Sequence, residues 1–358
     1  MNVGIIGFAR SGKTTVYNAL SGARAAVGAF GARAANVAVL KVPDERVDRL
    51  AEIFKPRKKS YPEFQFIDIA PNETGGEEKA LDVTALNQLK QTDALVHVVR
   101  AFEDPQVAHP AGSVDSVRDC KALEEEMQFS DLVIIEKRLA RLEKENRKDL
   151  EHQVLAKCRD QIEAGRSLRT LELAAHEAHA IAGYGFLSQK PLMLLGNFGE
   201  EAIGESDPSG LADYAASAET APENGFTLIA LCGKLELEIA ELPEEDRAVF
   251  REDLGLGEES RTRFLHAAYE MLGLISFLTV EGPEVRAWTI PRGTHAVDAA
   301  GVIHSDMQRG FIRAEAVSYH DFMAAGSMAK AKEQGHMLVQ GKDYVVRDGD
   351  ILLVRFNV

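Results

Sequence analysis

A chain of 358 residues is too long for one ordinary hydrophobic core, so two or three domains are expected. Apolar residues at 45% and charged residues at 27% are the composition of a globular protein in water, and a net charge of −15 argues against a generally basic nucleic-acid binder. The acidity is local, because residues 200–259 hold 17 Asp and Glu against 3 Lys and Arg, leaving the rest of the chain near neutral and open to a local basic site. No apolar run approaches the roughly 18 residues of a membrane span, so no membrane association is expected. The chain enters an apolar strand with no basic leader, which predicts no signal peptide and a cytoplasmic protein. Cys120, Cys158 and Cys232 are scattered, fit a reducing compartment, and match no zinc or metal-cluster spacing.

Taken in order, residues 1–6 (M-N-V-G-I-I) read as a buried strand. Gly7-Phe8-Ala9-Arg10-Ser11-Gly12-Lys13-Thr14 follows, with the pattern G-x-x-x-x-G-K-[ST], and residues 15–21 read as a helix. Strand, glycine loop and helix are the context that confirms a phosphate-binding P-loop. Backbone N–H groups of Arg10, Ser11, Gly12, Lys13, Thr14 and Thr15 are expected to face the phosphates. Lys13 would reach the β- and γ-phosphates, and the Thr14 hydroxyl would sit on Mg²⁺.

Residues 36–42 alternate as a strand, and Pro43-Asp44-Glu45-Arg46 starts a helix. Residues 55–59 (K-P-R-K-K) read as a basic loop, a solvated turn in preference to a phosphate contact. Residues 61–70 form a strand ending near Asp68, where a P-loop protein places its second Mg²⁺ group; an Asp capping a strand end is the plainer alternative. Residues 93–100 (D-A-L-V-H-V-V-R) are a further apolar strand. Strands alternating with helices predict a parallel sheet covered on both faces, with its ligand at the carboxyl ends of the strands.

Residues 120–147 lack Gly and Pro and carry Leu123, Met127, Leu132, Ile135, Leu139 and Leu142 near helical spacing. A second helical run covers 150–182, broken near Gly165-Arg166-Ser167. The pair reads as a helical arm, serving either packing or the docking of a large partner. Residues 190–196 and 226–232 return to the sheet, the first ending in Asn197-Phe198-Gly199-Glu200 and the second followed by Gly233-Lys234. An acidic helical segment covers 243–272. Residues 283–358 are strand-rich, with strands at 285–290, 310–317, 344–347 and 351–356, and carry six arginines on a near-neutral background. An RNA-contacting face and a solvated face are both compatible with that composition.

These residues resemble the YchF/Obg-like ATPase family over essentially the whole chain. The resemblance rests on the P-loop, V-P-D-x-R-x-D-x-L at 42–50, F-I-D-I-A at 66–70, V-H-V-V-R-x-F-E-D at 96–104, N-x-x-E at 197–200, D-L-G-L at 253–256, A-A-Y-E-x-L-G-L-I at 267–275 and E-V-R-A-W-T-I at 284–290. A-G-V-I-H at 300–304, G-F-I-R-A-E at 310–315 and D-Y-V-V-x-D-G-D at 343–350 continue it. It implies an α/β P-loop NTPase fold with a mostly parallel sheet, an inserted helical coiled-coil arm and a C-terminal α+β TGS domain. The implied boundaries are 1–117 with 188–275 for the nucleotide-binding domain, 118–187 for the arm and 276–358 for the TGS-like domain. It further implies a translation-associated factor whose partner is the ribosome or rRNA, with ATP preferred over GTP. Asn197, Glu200 and Lys234 would flank the base, and Thr14 and Asp68 would hold Mg²⁺. Guanine-specific relatives use Asn-Lys-x-Asp; the longer Glu200 and Phe198 in place of Lys disturb that fit, while Asn197 could serve the adenine amino group.

The sequence departs from the family in both switch segments. Where a Thr usually closes on Mg²⁺, the stretch reads Ala29-Phe30-Gly31-Ala32, and Ala32 offers no oxygen. Pro71 replaces the glycine that usually senses the γ-phosphate and supplies no N–H. Residues 72–86 keep only Gly75 and Gly76, and the third base element reads Cys232-Gly233-Lys234 in place of Ser-Ala-Lys. The expectation is a protein that holds ATP or GTP but hydrolyses it slowly. Its rival is a non-catalytic ribosome- or RNA-binding module that keeps the nucleotide fold as scaffold.

Overall fold

The structure is a computed structural model, and it describes residues 1–22, 36–69, 83–216, 226–256 and 259–357. Ala32 and Pro71, and with them the expected switch changes, lie outside the described residues.

The chain opens with β1 (Asn2–Ile6) and α1 (Lys13–Ser21). It continues through β2 (Asn36–Lys41), α2 (Glu45–Phe54), β3 (Lys58–Ser60), β4 (Glu63–Asp68), α3 (Val83–Leu89) and β5 (Ala94–Ala101). Next come α4 (Ser116–Lys144), α5 (Leu150–Glu163), α6 (Ala175–Ile181), β6 (Leu192–Phe198), α7 (Ala212–Ala215), β7 (Phe226–Leu231), α8 (Gly233–Glu241), α9 (Glu244–Asp253) and α10 (Ser260–Met271). The last stretch holds β8 (Leu274–Thr279), β9 (Glu284–Pro291), α11 (Ala296–Ile303), α12 (Ser305–Arg309), β10 (Phe311–Ser318), α13 (Tyr319–Ala325), α14 (Met328–Glu333), β11 (Leu338–Gln340) and β12 (Asp350–Phe356). Among the described residues no helix is long and apolar enough to cross a membrane.

The chain divides into two compact units, Met1–Val39 with Gln65–Phe264, and Leu40–Phe64 with Leu265–Val358. In the first, the sheet order is β2-β4-β1-β5-β6-β7, and the β4–β1, β1–β5, β5–β6 and β6–β7 pairings are all parallel. Parallel neighbours need crossovers, which explains the alternation of strands and helices in the sequence. Seven of the eight β5 residues are buried, as a strand covered on both faces requires.

The long helix α4 is capped by Asp115, whose side chain accepts from the Arg118 N–H at 2.9 Å. Its two halves do different things. Cys120, Leu123 and Met127 pack on the sheet cluster of Ile6, Leu95, Val99, Leu192 and Leu194. Further along, Ile135, Leu139 and Leu142 share a cluster with Val154, Leu155, Cys158 and Ile162 of α5, and Arg138 pairs with Glu151. The helical arm expected from residue 118 onward therefore begins on the sheet. Gly165, at φ 73°, ends the second helical run where the sequence placed its break.

The second unit has a six-stranded sheet of order β11-β10-β12-β8-β9-β3. Three sequence expectations are corrected here. Residues 58–60 are strand β3, paired parallel with β9, and Lys58 meets Glu284 at 3.3 Å while Lys59 meets Asp48 at 2.6 Å. Pro62 supplies no ladder N–H, and β3 and β4 on either side of it join different sheets. The expected strand at 344–347 is reduced to one isolated bridge, His295 to Val345. Residues 274–279, to which the sequence reading gave no element, are strand β8, paired antiparallel with β9. A boundary at 275/276 would cut that strand. Val47 and Leu50 of α2 pack with Leu278, Val280, Val285 and Phe322, so 40–64 join this unit and not the nucleotide-binding part to which the sequence reading gave them.

Candidate functional site

The glycine loop turns between β1 and α1 because three residues take left-handed backbone. Gly7 has φ 145°, Arg10 φ 65° and Gly12 φ 88°. At Gly7 a Cβ would lie 2.4 Å from the Val98 carbonyl oxygen, and at Gly12 it would lie 2.3 Å from Asn197 Nδ2. Both glycines are thus demanded by close approach as well as by conformation. Gly12 caps α1 with backbone alone, which leaves the helix N-terminus free for an anion.

Lys13 is 9% exposed, and its Nζ donates to the carbonyl oxygens of Gly7 at 2.6 Å and Phe8 at 2.7 Å. Burial pushes its pKa down to about 8, with Asp68 opposing. Thr14 Oγ1 donates to Asp68 Oδ2 at 3.2 Å, and Asn36 Nδ2 reaches the same oxygen at 3.4 Å. Asp68 is 3% exposed at the end of β4. Two cis ligands of an octahedral Mg²⁺ with bonds near 2.1 Å stand about 3 Å apart, so the Thr14–Asp68 spacing and their hard oxygens fit that ion. Thr15 lies half-buried in the first turn of α1, and Ser11 is buried with its hydroxyl unpartnered among the described residues.

The expected base-binding residues separate into two groups. Asn197 is 4% exposed, and both ends of its amide are engaged. Nδ2 donates to the Ser11 carbonyl at 3.0 Å, and Oδ1 accepts from the Gly233 N–H at 2.9 Å. It ties the P-loop to the loop after β7, with one Nδ2 hydrogen left over for the base contact that the sequence reading allowed it. Glu200 and Lys234 form an exposed ion pair at 2.8 Å, and the bond to Glu200 raises the Lys234 pKa. Replacing Gly12 by Ala is expected to displace Asn197 and cost about 2–4 kcal/mol, from left-handed strain plus a lost buried hydrogen bond. Urea unfolding would measure it.

Two residues of the β5 motif were not singled out from the sequence. Arg100 is 2% exposed, and its guanidinium donates to the carbonyls of Phe102 at 3.1 Å, Val107 at 2.8 Å and Arg10 at 3.5 Å. It pins the loop after β5 to the P-loop. A charged residue closing an apolar strand was the available signal. His97, paired with Ile6 at the end of β1, is fully buried; burial and then Lys13 push its pKa down to about 3, so it is neutral, and its Nε2 has no partner among the described residues.

Comparison with known proteins gives concordant results. A family model named YchF-GTPase_C, described as a protein of unknown function (DUF933), matches residues 274–357, and one described as a 50S ribosome-binding GTPase matches residues 2–157. The chain is 38% identical over 366 residues to a Bacillus subtilis (strain 168) protein named ribosome-binding ATPase YchF, covering 100% of both. It is 38% identical over 363 residues to the Escherichia coli O157:H7 protein of the same name, covering 99% of both. The solved structure of the Schizosaccharomyces pombe YchF GTPase matches with a TM-score of 0.85 at 27% identity, covering 99% of this chain and 97% of that one.

Proposed function

The chain belongs to the YchF family, and from that premise we propose that it is a cytoplasmic, ribosome-associated P-loop protein that binds Mg²⁺–ATP in preference to Mg²⁺–GTP and hydrolyses it slowly. The observation that carries the nucleotide reading is the phosphate cradle. A lysine ammonium held on two loop carbonyls, a bare helix N-terminus and a Thr–Asp oxygen pair converge at the carboxyl ends of two neighbouring parallel strands, β1 and β4. Thr14 and Asp68 would hold Mg²⁺, which would supply positive charge to offset that of the phosphates. The β- and γ-phosphates would take Lys13 from the Gly7 and Phe8 carbonyls.

The base preference rests on residues 197–200 and 234. The curated relatives are named ATPases and the solved one a GTPase, so names alone leave the base open. A role for Glu200 at the base edge is supported by its exposure and by its pairing with Lys234, which is exposed and therefore weak. Restoring N-K-x-D with Phe198→Lys and Glu200→Asp together is expected to raise the GTP-to-ATP affinity ratio about tenfold or more, the worth of one or two hydrogen bonds to a charged acceptor. Calorimetric titration of both nucleotides checks it; an unchanged ratio removes Glu200 from base selection.

Slow hydrolysis is proposed from Ala32 and Pro71, which lack the oxygen and the N–H of the usual sensors. Single-turnover hydrolysis at the rate of ordinary family members would refute it. The ribosome as partner is proposed from the names of the relatives, with the arm and the TGS-like residues 276–358 as its contacts. Co-sedimentation with ribosomes should fall steeply with salt if phosphate contacts dominate. The same switch changes favour one second reading, a binding module with the nucleotide fold as scaffold. It gains if the protein shows no thermal shift with ATP, GTP or their diphosphates.

A further inference from the structure

We propose that Arg10 is a catalytic residue supplied in cis, whose guanidinium leaves the Ala108 carbonyl and contacts the oxygen bridging the β- and γ-phosphates of the bound nucleotide. This rests on the nucleotide-binding reading above and adds to it the group that answers the charge developing on that oxygen.

Arg10 occupies the left-handed region at φ 65°, a conformation that favours glycine and that an arginine adopts only under constraint. The constraint is visible. Arg100 is buried, is anchored on the Phe102 and Val107 carbonyls, and reaches the Arg10 carbonyl at 3.5 Å. A strained residue held in place by a buried one is the pattern found at sites where the strain has a use. The Arg10 side chain is exposed and makes one hydrogen bond, from Nη1 to the Ala108 carbonyl at 3.1 Å. Among the described residues it has no carboxylate partner. It is therefore a cation resting on a neutral acceptor, on the loop that Arg100 fixes. Lys13, three residues on, is buried on two carbonyls. Two cations, one buried and one exposed, thus stand on one P-loop.

In the reaction, a water oxygen bonds to the γ-phosphorus while the bond from phosphorus to the bridging oxygen breaks. The electron pair stays on the β-phosphate of the departing nucleoside diphosphate, and the water protons pass to inorganic phosphate and solvent. Negative charge grows on the bridging oxygen as that bond stretches, and an arginine there acts chiefly in the transition state. Arg10 is placed to do this from within the chain, where other P-loop proteins use a partner's arginine.

The test compares the full-length protein with Arg10→Ala and Arg10→Lys in three measurements. These are calorimetric affinity for Mg²⁺–ADP and Mg²⁺–GDP, the gain in affinity when aluminium fluoride is added, and single-turnover release of phosphate from Mg²⁺–ATP and Mg²⁺–GTP. The expected result for Arg10→Ala is diphosphate affinity within about threefold, loss of the aluminium fluoride gain, and turnover lower by about 10³-fold, the scale of an arginine acting on this step. Arg10→Lys should recover part of both losses. Equal weakening of diphosphate binding and turnover would make Arg10 a ground-state contact and overturn the assignment. So would unchanged turnover, or wild-type binding without turnover. Wild-type protein that binds no nucleotide at all would sink the nucleotide reading itself, and the binding arm tells that failure apart.

Discussion

Lys13→Ala is expected to raise the dissociation constant for Mg²⁺–nucleotide by about 10²–10³-fold. The ammonium would give two charge-assisted hydrogen bonds to phosphate, each worth about 1.5–3 kcal/mol, and about 1.4 kcal/mol is a factor of ten. The thermal stabilisation by nucleotide, about 2.7 kcal/mol at a hundredfold excess over Kd in the wild type, should vanish at the same concentration in the variant. A second signature separates this loss from simple misfolding. In the free protein Lys13 titrates near pH 8, because burial disfavours its charge. Bound phosphates favour the charge and raise that value. The bound state therefore holds more protons than the free state from about pH 8 upward. Affinity should be flat below pH 8 and fall as pH rises above it, by up to tenfold per unit. Calorimetry at pH 8.5 in two buffers of different ionisation enthalpy should report proton uptake in the wild type and none in Lys13→Ala. Uptake that persists in the variant would assign the linkage to another group.

The P-loop was readable because its chemistry is local. Gly7, Gly12, Lys13 and Thr14 act within eight residues, and each is needed for a reason visible at its own position. The parallel sheet was readable because burial on both faces leaves nearly continuous apolar runs such as 94–99, interrupted by His97. What stayed hidden depends on distant partners. The tie that Asn197 makes was hidden because Ser11 and Gly233, on its two amide ends, lie 186 and 36 residues away in sequence. Lys58 and Lys59 looked like a solvated turn because nothing local says that β9, more than two hundred residues on, would pair with them. Residues 274–279 received no element because a six-residue apolar run has no period that separates strand from helix. Arg100 carried a signal that was passed over, since a charge ending a buried strand must find acceptors.

Asp131→Ala should be the most destabilising single change away from the nucleotide site, by about 3–5 kcal/mol. Asp131 lies on α4 with no exposed surface and accepts three hydrogen bonds, from the Leu187 N–H at 2.9 Å, the Ser188 N–H at 2.8 Å and the Ser188 hydroxyl at 2.7 Å. They fix the long helix to the segment that leads into β6. Alanine removes the acceptor and leaves three buried donors, each costing about 1–3 kcal/mol, with part recovered by rearrangement or an entering water. The pH dependence has a definite sign. Burial pushes the Asp131 pKa up to about 6, against the three donors that favour its charge. Between the ordinary carboxylate value and pH 6 the folded state thus holds more proton than the unfolded one, and this group's contribution is present in full below that window and lost as pH rises through 6. Wild-type protein should accordingly gain stability from Asp131 on going from pH 7 to pH 5, and Asp131→Asn should lack that gain. Urea unfolding of the wild type and both variants at the two pH values measures it. A loss of less than 1 kcal/mol in Asp131→Ala would mean that water serves these donors as well as the carboxylate does, and that the helix is held to the sheet by Cys120, Leu123 and Met127 instead.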